Sequence, residues 1–153
     1  LLEARAKAGD YLGALDLIRN YWGGMLDMGA TTFWEGFSVD WMENSTRIDE
    51  LPQPGKRDIH ADFGAWCYEG LRHSLCHGWA AGPTAWLIDH VLGLQPSSPG
   101  FAAMTIEPHL GDLEWAEGSI ATPHGPVWVR HEQGQTSVRT HLLEKPEGVR
   151  ILD

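Results

Sequence analysis

The feature that most constrains this chain is a change of hydrophobic period near residue 95. Before it, apolar residues recur at helical spacing. Leu12, Leu15, Leu17, Ile18, Tyr21 and Trp22 make one face, and Trp86, Leu87, His90 and Val91 make another. Gly9 suits a left-handed cap, Asp10 can cap the helix that follows, and Gly23-Gly24 predicts its stop. A further helix is expected from Phe63 to about Leu75, through Trp66, Cys67, Gly70 and Leu71. The last runs from Pro83 to Leu92, with Pro83 in its first turn and Gly93 at its end. After Gln95-Pro96-Ser97-Ser98-Pro99-Gly100 the period becomes two, in Met104–Glu107, Leu113–Trp115, Val127–Arg130 and Thr136–Leu142. Pro108, Gly111-Asp112, Pro123–Pro126 and Gly134 separate these runs. Two parts follow: residues 1–97, helices joined by long loops as in part of a toroid or bundle, and 98–153, an antiparallel β-sandwich or part of one. The Pro/Ser-rich segment 95–100 is the expected boundary. So short a sheet buries little by itself and is expected to pack against the helices or further strands.

Charge narrows the partners. Eleven Lys and Arg against 21 Asp and Glu leave a formal charge of −10, which argues against nucleic acid or an anionic membrane as the target. No apolar run approaches the ~20 residues that span a bilayer. Eight Trp beside eighteen Gly point to rigid aromatic surfaces and tight loops. The chain opens directly in a helical pattern, Leu1-Leu2-Glu3-Ala4-Arg5-Ala6, which suggests a piece of a longer protein and leaves localisation unread. Cys67 and Cys76 stand nine apart in a stretch read as helical, too far to bridge along a helix, so both are expected as free, buried thiols.

Four features offer chemistry. In Gly29-Ala30-Thr31-Thr32-Phe33-Trp34-Glu35-Gly36, a carboxylate follows two aromatics. Acid–base work needs a carboxylate held by packing, and an adjacent indole offers both packing and a flat face to a sugar. The competing reading is that Glu35 caps or salt-bridges a neighbouring element. His73 and His77, with His60 and His90 farther off, form a second set. H-x-x-C-H lacks the Glu of a zincin and the paired Cys of a structural zinc site, so hydrogen-bonded or ligand-contacting histidines are expected and no metal. Among the Trp, Trp86 and Trp128 are expected in the core, whereas Trp34, Trp41 and Trp79 lie in Gly-containing loops where aromatics serve binding. The acidic loop 38–62, with Asp40, Glu43, Asp49, Glu50, Asp58 and Asp62, offers carboxylates but not the EF-hand spacing. A nucleophile elbow, a phosphate loop and a dinucleotide fingerprint are absent from the sequence.

These segments resemble a known family. Gly29-Ala30-Thr31-Thr32-Phe33-Trp34-Glu35 is similar to the ATT-x-WE segment of bacterial α-L-rhamnosidases, glycoside hydrolase family 78. Ser74-Leu75-Cys76-His77-Gly78-Trp79 resembles their SLNH segment, with Cys76 where Asn is commoner. Pro99-Gly100-Phe101 through Ile106-Glu107-Pro108, Leu113–Ser119 and Thr122–Pro126 resemble the strands that follow, in the same order. The resemblance implies the last helices of an (α/α)₆ catalytic barrel over 1–97 and a C-terminal β-sandwich domain over 98–153, with the rest of the same enzyme N-terminal to residue 1. It implies inverting hydrolysis of terminal α-L-rhamnosides without a cofactor or metal. Glu35 takes the place of the general base, His77 of a sugar contact in the −1 subsite and Trp34 of a wall of that subsite. Trp79 and Trp41 are further expected sugar-facing aromatics. The family's general acid lies upstream, so the chain alone is expected to be inactive. A non-catalytic carbohydrate-binding or structural piece, or another (α/α)₆ specificity, is the alternative.

Overall fold

A computed structural model of the chain describes residues 1–51, 53–55 and 74–152. The helix expected from Phe63, with Trp66 and Cys67, lies outside the described residues, as do His60, His73, Asp58 and Asp62. The chain forms two compact units, Leu1–Ala14 with Pro83–Asp153, and Leu15–Gly82. Among the described residues no helix is long and apolar enough to cross a membrane.

The first unit opens with α1 (Leu2–Lys7) and the start of α2 (Tyr11–Ile18). Gly9 takes a φ of +74° as expected of a left-handed cap, and Asp10 accepts the Gly13 N–H at 3.0 Å while pairing with Arg5. Tyr11 stacks on His109, with ring centres 3.9 Å apart, and Glu3 meets His90 at 3.2 Å. These contacts bind the N-terminal helices to the later part of the unit. Helix α4 (Gly82–Trp86) carries Pro83 in its first turn, where the missing N–H costs nothing, and continues as a wider π-helical turn over Leu87–Val91. Gly93 ends it at φ +66°, and a Cβ there would fall 2.1 Å from the Glu107 carbonyl carbon. Both the left-handed backbone and the close crossing require glycine.

Six strands follow: β1 (Leu94–Pro96), β2 (Ala103–Ile106), β3 (Trp115–Thr122), β4 (Gly125–Gln133), β5 (Val138–Glu144) and β6 (Arg150–Ile151). They form two three-stranded sheets, ordered β1-β2-β6 and β3-β4-β5. Gln95 and Pro96, expected in a linker, instead belong to the edge strand β1, antiparallel to β2, with Leu94 opposite Ile106 and Pro96 opposite Met104. An edge tolerates Pro96 because one side of the strand needs no donor. The sheets are not wholly antiparallel, since β6 runs parallel to β2.

Leu94 and Met104 from one sheet and Val127 and Val129 from the other share a core with Leu92 and Val149. Trp128 is not part of that core. It is 39% exposed, because the two-residue period assigns the inward positions of β4 to Val127, Val129 and His131.

His131 is fully buried. Its Nε2 lies 3.1 Å from the Leu92 carbonyl oxygen and its Nδ1 2.9 Å from the Thr140 hydroxyl. A carbonyl only accepts, so Nε2 carries the proton and Nδ1 of the neutral ring accepts from Thr140. Burial pushes the imidazole pKa down, with a smaller contribution from nearby His141 and opposition from the Leu92 bond.

The second unit continues α2 through a wide turn at Arg19–Gly23 into α3 (Gly24–Asp27). Gly23-Gly24 does not stop the helix. Both residues are helical, and a Cβ at Gly24 would meet the Phe37 ring at 2.8 Å. Packing, not termination, explains the glycine there. The stop comes at Gly29, φ +87°. Met25, Met28, Ala30 and Trp34 form this unit's core, with Trp22, Phe37, Met42 and Ile48 packed against it. On the α2 face, Leu15 is buried and Leu12 is 54% exposed.

Two outcomes are expected. Gly93→Ala lowers unfolding stability by at least about 2 kcal/mol in urea titration, since strain and a backbone clash coincide. Stability also falls as the pH drops through the unfolded-chain histidine value of about 6.5, because the unfolded state then takes up the proton that buried His131 refuses. The slope of melting temperature against pH between 7 and 5 should flatten in His131→Gln, and an unchanged slope would assign it to other groups.

Candidate functional site

The site lies in the second unit, where two segments far apart in sequence run side by side. The Phe33 carbonyl accepts the His77 N–H at 2.7 Å, and the Glu35 N–H donates to the Ser74 carbonyl at 2.9 Å. Thr32 adds a hydroxyl bond to the Leu75 carbonyl. Trp34, between the two bonded residues, is fully buried and meets the Phe37 ring edge-on at 6.0 Å. Trp34 thus lies in the core, while Glu35 next to it stays partly exposed.

Glu35 is bonded to the second segment twice. Besides its backbone bond, its Oε2 accepts the Ser74 N–H at 2.9 Å. Its Oε1 takes no hydrogen bond from the described residues. His77 Nδ1 lies 3.9 Å from Oε2, beyond hydrogen-bond reach but close enough for attraction when the ring is protonated. Both side chains are about one-third exposed, 34% and 35%. Trp79 donates its indole N–H to the Glu35 carbonyl at 3.4 Å and packs edge-on against His77, ring centres 5.1 Å apart. It is 77% exposed. The structure therefore gathers Glu35, His77 and Trp79, with Trp34 beneath them. Trp41 is half-buried and touches Phe37 edge-on at 6.2 Å, so it joins the group at one remove. A hollow of about 230 Å³ shares Thr32 and Phe33 with the paired segments, but its other walls include Trp22, Met25, Leu26 and Ala30, which suit apolar groups and not a sugar.

Other expectations change. His77 precedes the short helical turn Gly78–Ala80 in an extended conformation, and not on the helical face that its four-residue spacing from His73 allows. Cys76 sits in a bend and is an exposed free thiol, not a buried one. His90 belongs to the first unit, beside Glu3, Trp86 and Tyr11. In the acidic loop, Arg47 grips both oxygens of Asp49 at 3.0 Å and holds its carboxyl below the usual range, while also donating to the Asp27 carbonyl. Among the described residues, no three His, Cys, Asp or Glu side chains gather as a metal site. Ser74 and Thr32 were not among the expected site residues. Ser74 contributes its backbone N–H and C=O, which every non-proline residue carries, so its side chain gave no signal.

Residues 93–151 match the family model of the bacterial α-L-rhamnosidase C-terminal domain. An α-L-rhamnosidase of Alteromonas sp. (strain LOR) is 32% identical over 107 residues, 69% of this chain and 9% of that protein. This chain matches the C-terminal portion of the bacterial α-L-rhamnosidases. Solved α-L-rhamnosidases share its fold. That of Streptomyces avermitilis, complexed with L-rhamnose, superimposes with a TM-score of 0.65 at 22% identity over 99% of this chain and 13% of its own. The Aspergillus terreus enzyme gives 0.66 at 22% identity over 97% of this chain and 15% of its own. The Dictyoglumus thermophilum enzyme gives 0.64 at 22% over 97% and 14%. The chain thus spans less than a sixth of any of these relatives.

The bond from Ser74 makes Glu35 structural as well as exposed. Glu35→Ala should lower the denaturation midpoint by the equivalent of about 1 kcal/mol, whereas Glu35→Gln, which retains an acceptor oxygen, should stay near wild type. Equal losses in both variants would mean that the charge, and not the acceptor, holds the two segments together.

Proposed function

We propose that this chain supplies the base side of an inverting α-L-rhamnosidase site in an enzyme of glycoside hydrolase family 78. Residues 1–97 would end its (α/α)₆ barrel, and 98–153 would be its C-terminal β-sandwich. The observation that carries the reading is the Glu35 carboxylate, held through Oε2 by Ser74, with His77 and Trp79 beside the residue and Oε1 taking no hydrogen bond from the described residues.

Inverting hydrolysis uses two carboxyl groups ~6.5–9.5 Å apart, one accepting a proton from water and one protonating the leaving oxygen. In this reading Oε1 of Glu35 takes the proton as the water oxygen attacks the anomeric carbon. Holding Oε2 fixes the direction of Oε1, which reduces the orientational cost of that step. His77 contacts the sugar in the −1 subsite, and Trp79 and Trp41 offer it aromatic faces. Trp34 fixes the backbone between Phe33 and Glu35 from beneath the subsite. The general acid belongs to the part of the enzyme before residue 1, so the isolated chain is inactive. Acid–base hydrolysis needs no cofactor beyond two carboxyls and water. The second reading, sugar binding without chemistry, draws on the exposure of Trp79, which serves either role.

In the complete enzyme, Glu35→Gln should reduce turnover of p-nitrophenyl α-L-rhamnoside by about 10²–10⁴-fold, with L-rhamnose binding by calorimetry nearly unchanged. Unimpaired turnover would remove Glu35 from the base role. Hydrolysis by the isolated chain, lost in Glu35→Gln, would overturn the claim that it holds only half a site.

A further inference from the structure

The face of the β3-β4-β5 sheet turned away from the core is unusual in what it exposes. Trp115 on β3 is 54% exposed and Trp128 on β4 is 39% exposed. Pairing places them on one face: Trp115 lies opposite Glu132, Glu117 opposite Arg130 and Ser119 opposite Trp128, while Val127, Val129 and His131 point the other way. The four-residue step from Trp115 to Ser119 separates the two indoles by about 13 Å along the sheet. That exceeds one sugar ring and suits a chain of them.

The ground between them is ordered and close to neutral. Arg130 donates to Glu117 and to Glu132, both at 3.1 Å, Arg139 and His141 approach Glu132 at 3.8 and 4.0 Å, and Glu144 stands opposite Trp128, so two guanidinium groups and an imidazole share the face with three carboxylates. The Arg130 guanidinium also lies over the Trp115 ring, 4.6 Å from its centre. It holds one face of that indole and fixes its orientation, and the exposure of the ring lies elsewhere. Two rigid indoles joined by a balanced network of hydrogen-bonding groups fit a neutral polyhydroxylated ligand. A polyanion would meet no net positive charge here and a formal −10 over the chain.

We propose that this sheet face is an accessory glycan platform, on which Trp115 and Trp128 stack against a neutral sugar chain while the Arg130 network bonds its hydroxyls. The rhamnosyl nature of that chain rests on the function proposed above; the platform itself does not.

The test is affinity electrophoresis of the full chain through gels containing a soluble neutral α-L-rhamnan. Wild type should be retarded. The double variant Trp115→Ala/Trp128→Ala should lose about tenfold in affinity, the size expected from losing aromatic stacking contacts. Trp115→Phe and Arg130→Gln, read alongside it, should each give a smaller loss, and they decide the matter if circular dichroism shows the double variant misfolded. Where wild type is retarded and the sheet variants lose affinity, while the wild-type complete enzyme fails to cleave rhamnosides, only the catalytic reading falls. No retardation of wild type in this gel or in parallel gels of a neutral mannan and a neutral glucan, or retardation indifferent to all three sheet variants, overturns the platform. A shift from dimer to monomer on sedimentation of the double variant, with glycan retardation unchanged, overturns it in favour of a protein contact.

Discussion

Glu35 and Ser74 bond to each other through both backbone and side chain, and the candidate site depends on that double bond. Each half constrains the other. The backbone bond sets the two segments side by side, and the carboxylate bond then settles where the side chain points. Burial of Trp34 reinforces both, because a fully enclosed indole leaves the backbone at Phe33 and Glu35 little freedom to turn. His77 and Trp79 follow from the same pairing: one bonds its N–H to Phe33, and the other donates its indole N–H to Glu35. The grouping of exposed Trp79 with partly exposed Glu35 and His77 is thus a consequence of a few main-chain bonds and one buried ring.

The first unit is organised around a different constraint. Gly93 lets the chain turn sharply out of α4 so that Leu92 and Leu94 both enter the core between the sheets. The Leu92 carbonyl, which a regular helix continuing past Val91 would have used, instead accepts from buried His131. That bond satisfies two polar groups that would otherwise be costly in an apolar core. Burial of the imidazole, which this bond only partly offsets, makes this unit sensitive to acid, while the site in the other unit depends on partly exposed groups.

Much was legible where a periodicity or a special backbone shape left its mark. The helix from Pro83, the left-handed turns at Gly9 and Gly93 and the alternation of β4 could all be read from residue types, because each reflects local sterics or the side-chain period. The alignment of motifs pointed to the α-L-rhamnosidases, and the family comparison agrees. Legibility failed where one local pattern admits two uses. Gly24 looks like a helix stop but makes room for Phe37. Gln95-Pro96 looks like a linker but pairs in an edge strand. Trp128 looks like core, yet it occupies the outward position of an alternation whose inward places belong to valines.

The sequence alone determined the change from helices to strands near residue 95, the WE carboxylate and the histidine downstream of it, and the acidic charge that turns polyanions away. Only the tertiary structure decided that Glu35 and His77 stand within 3.9 Å, that Trp34 is buried while Trp79 is exposed, and that Trp115 and Trp128 share one sheet face. The physical reason is that local propensity acts over a few residues. Burial and proximity are set by main-chain bonds between segments some forty positions apart, formed from groups that every residue carries alike.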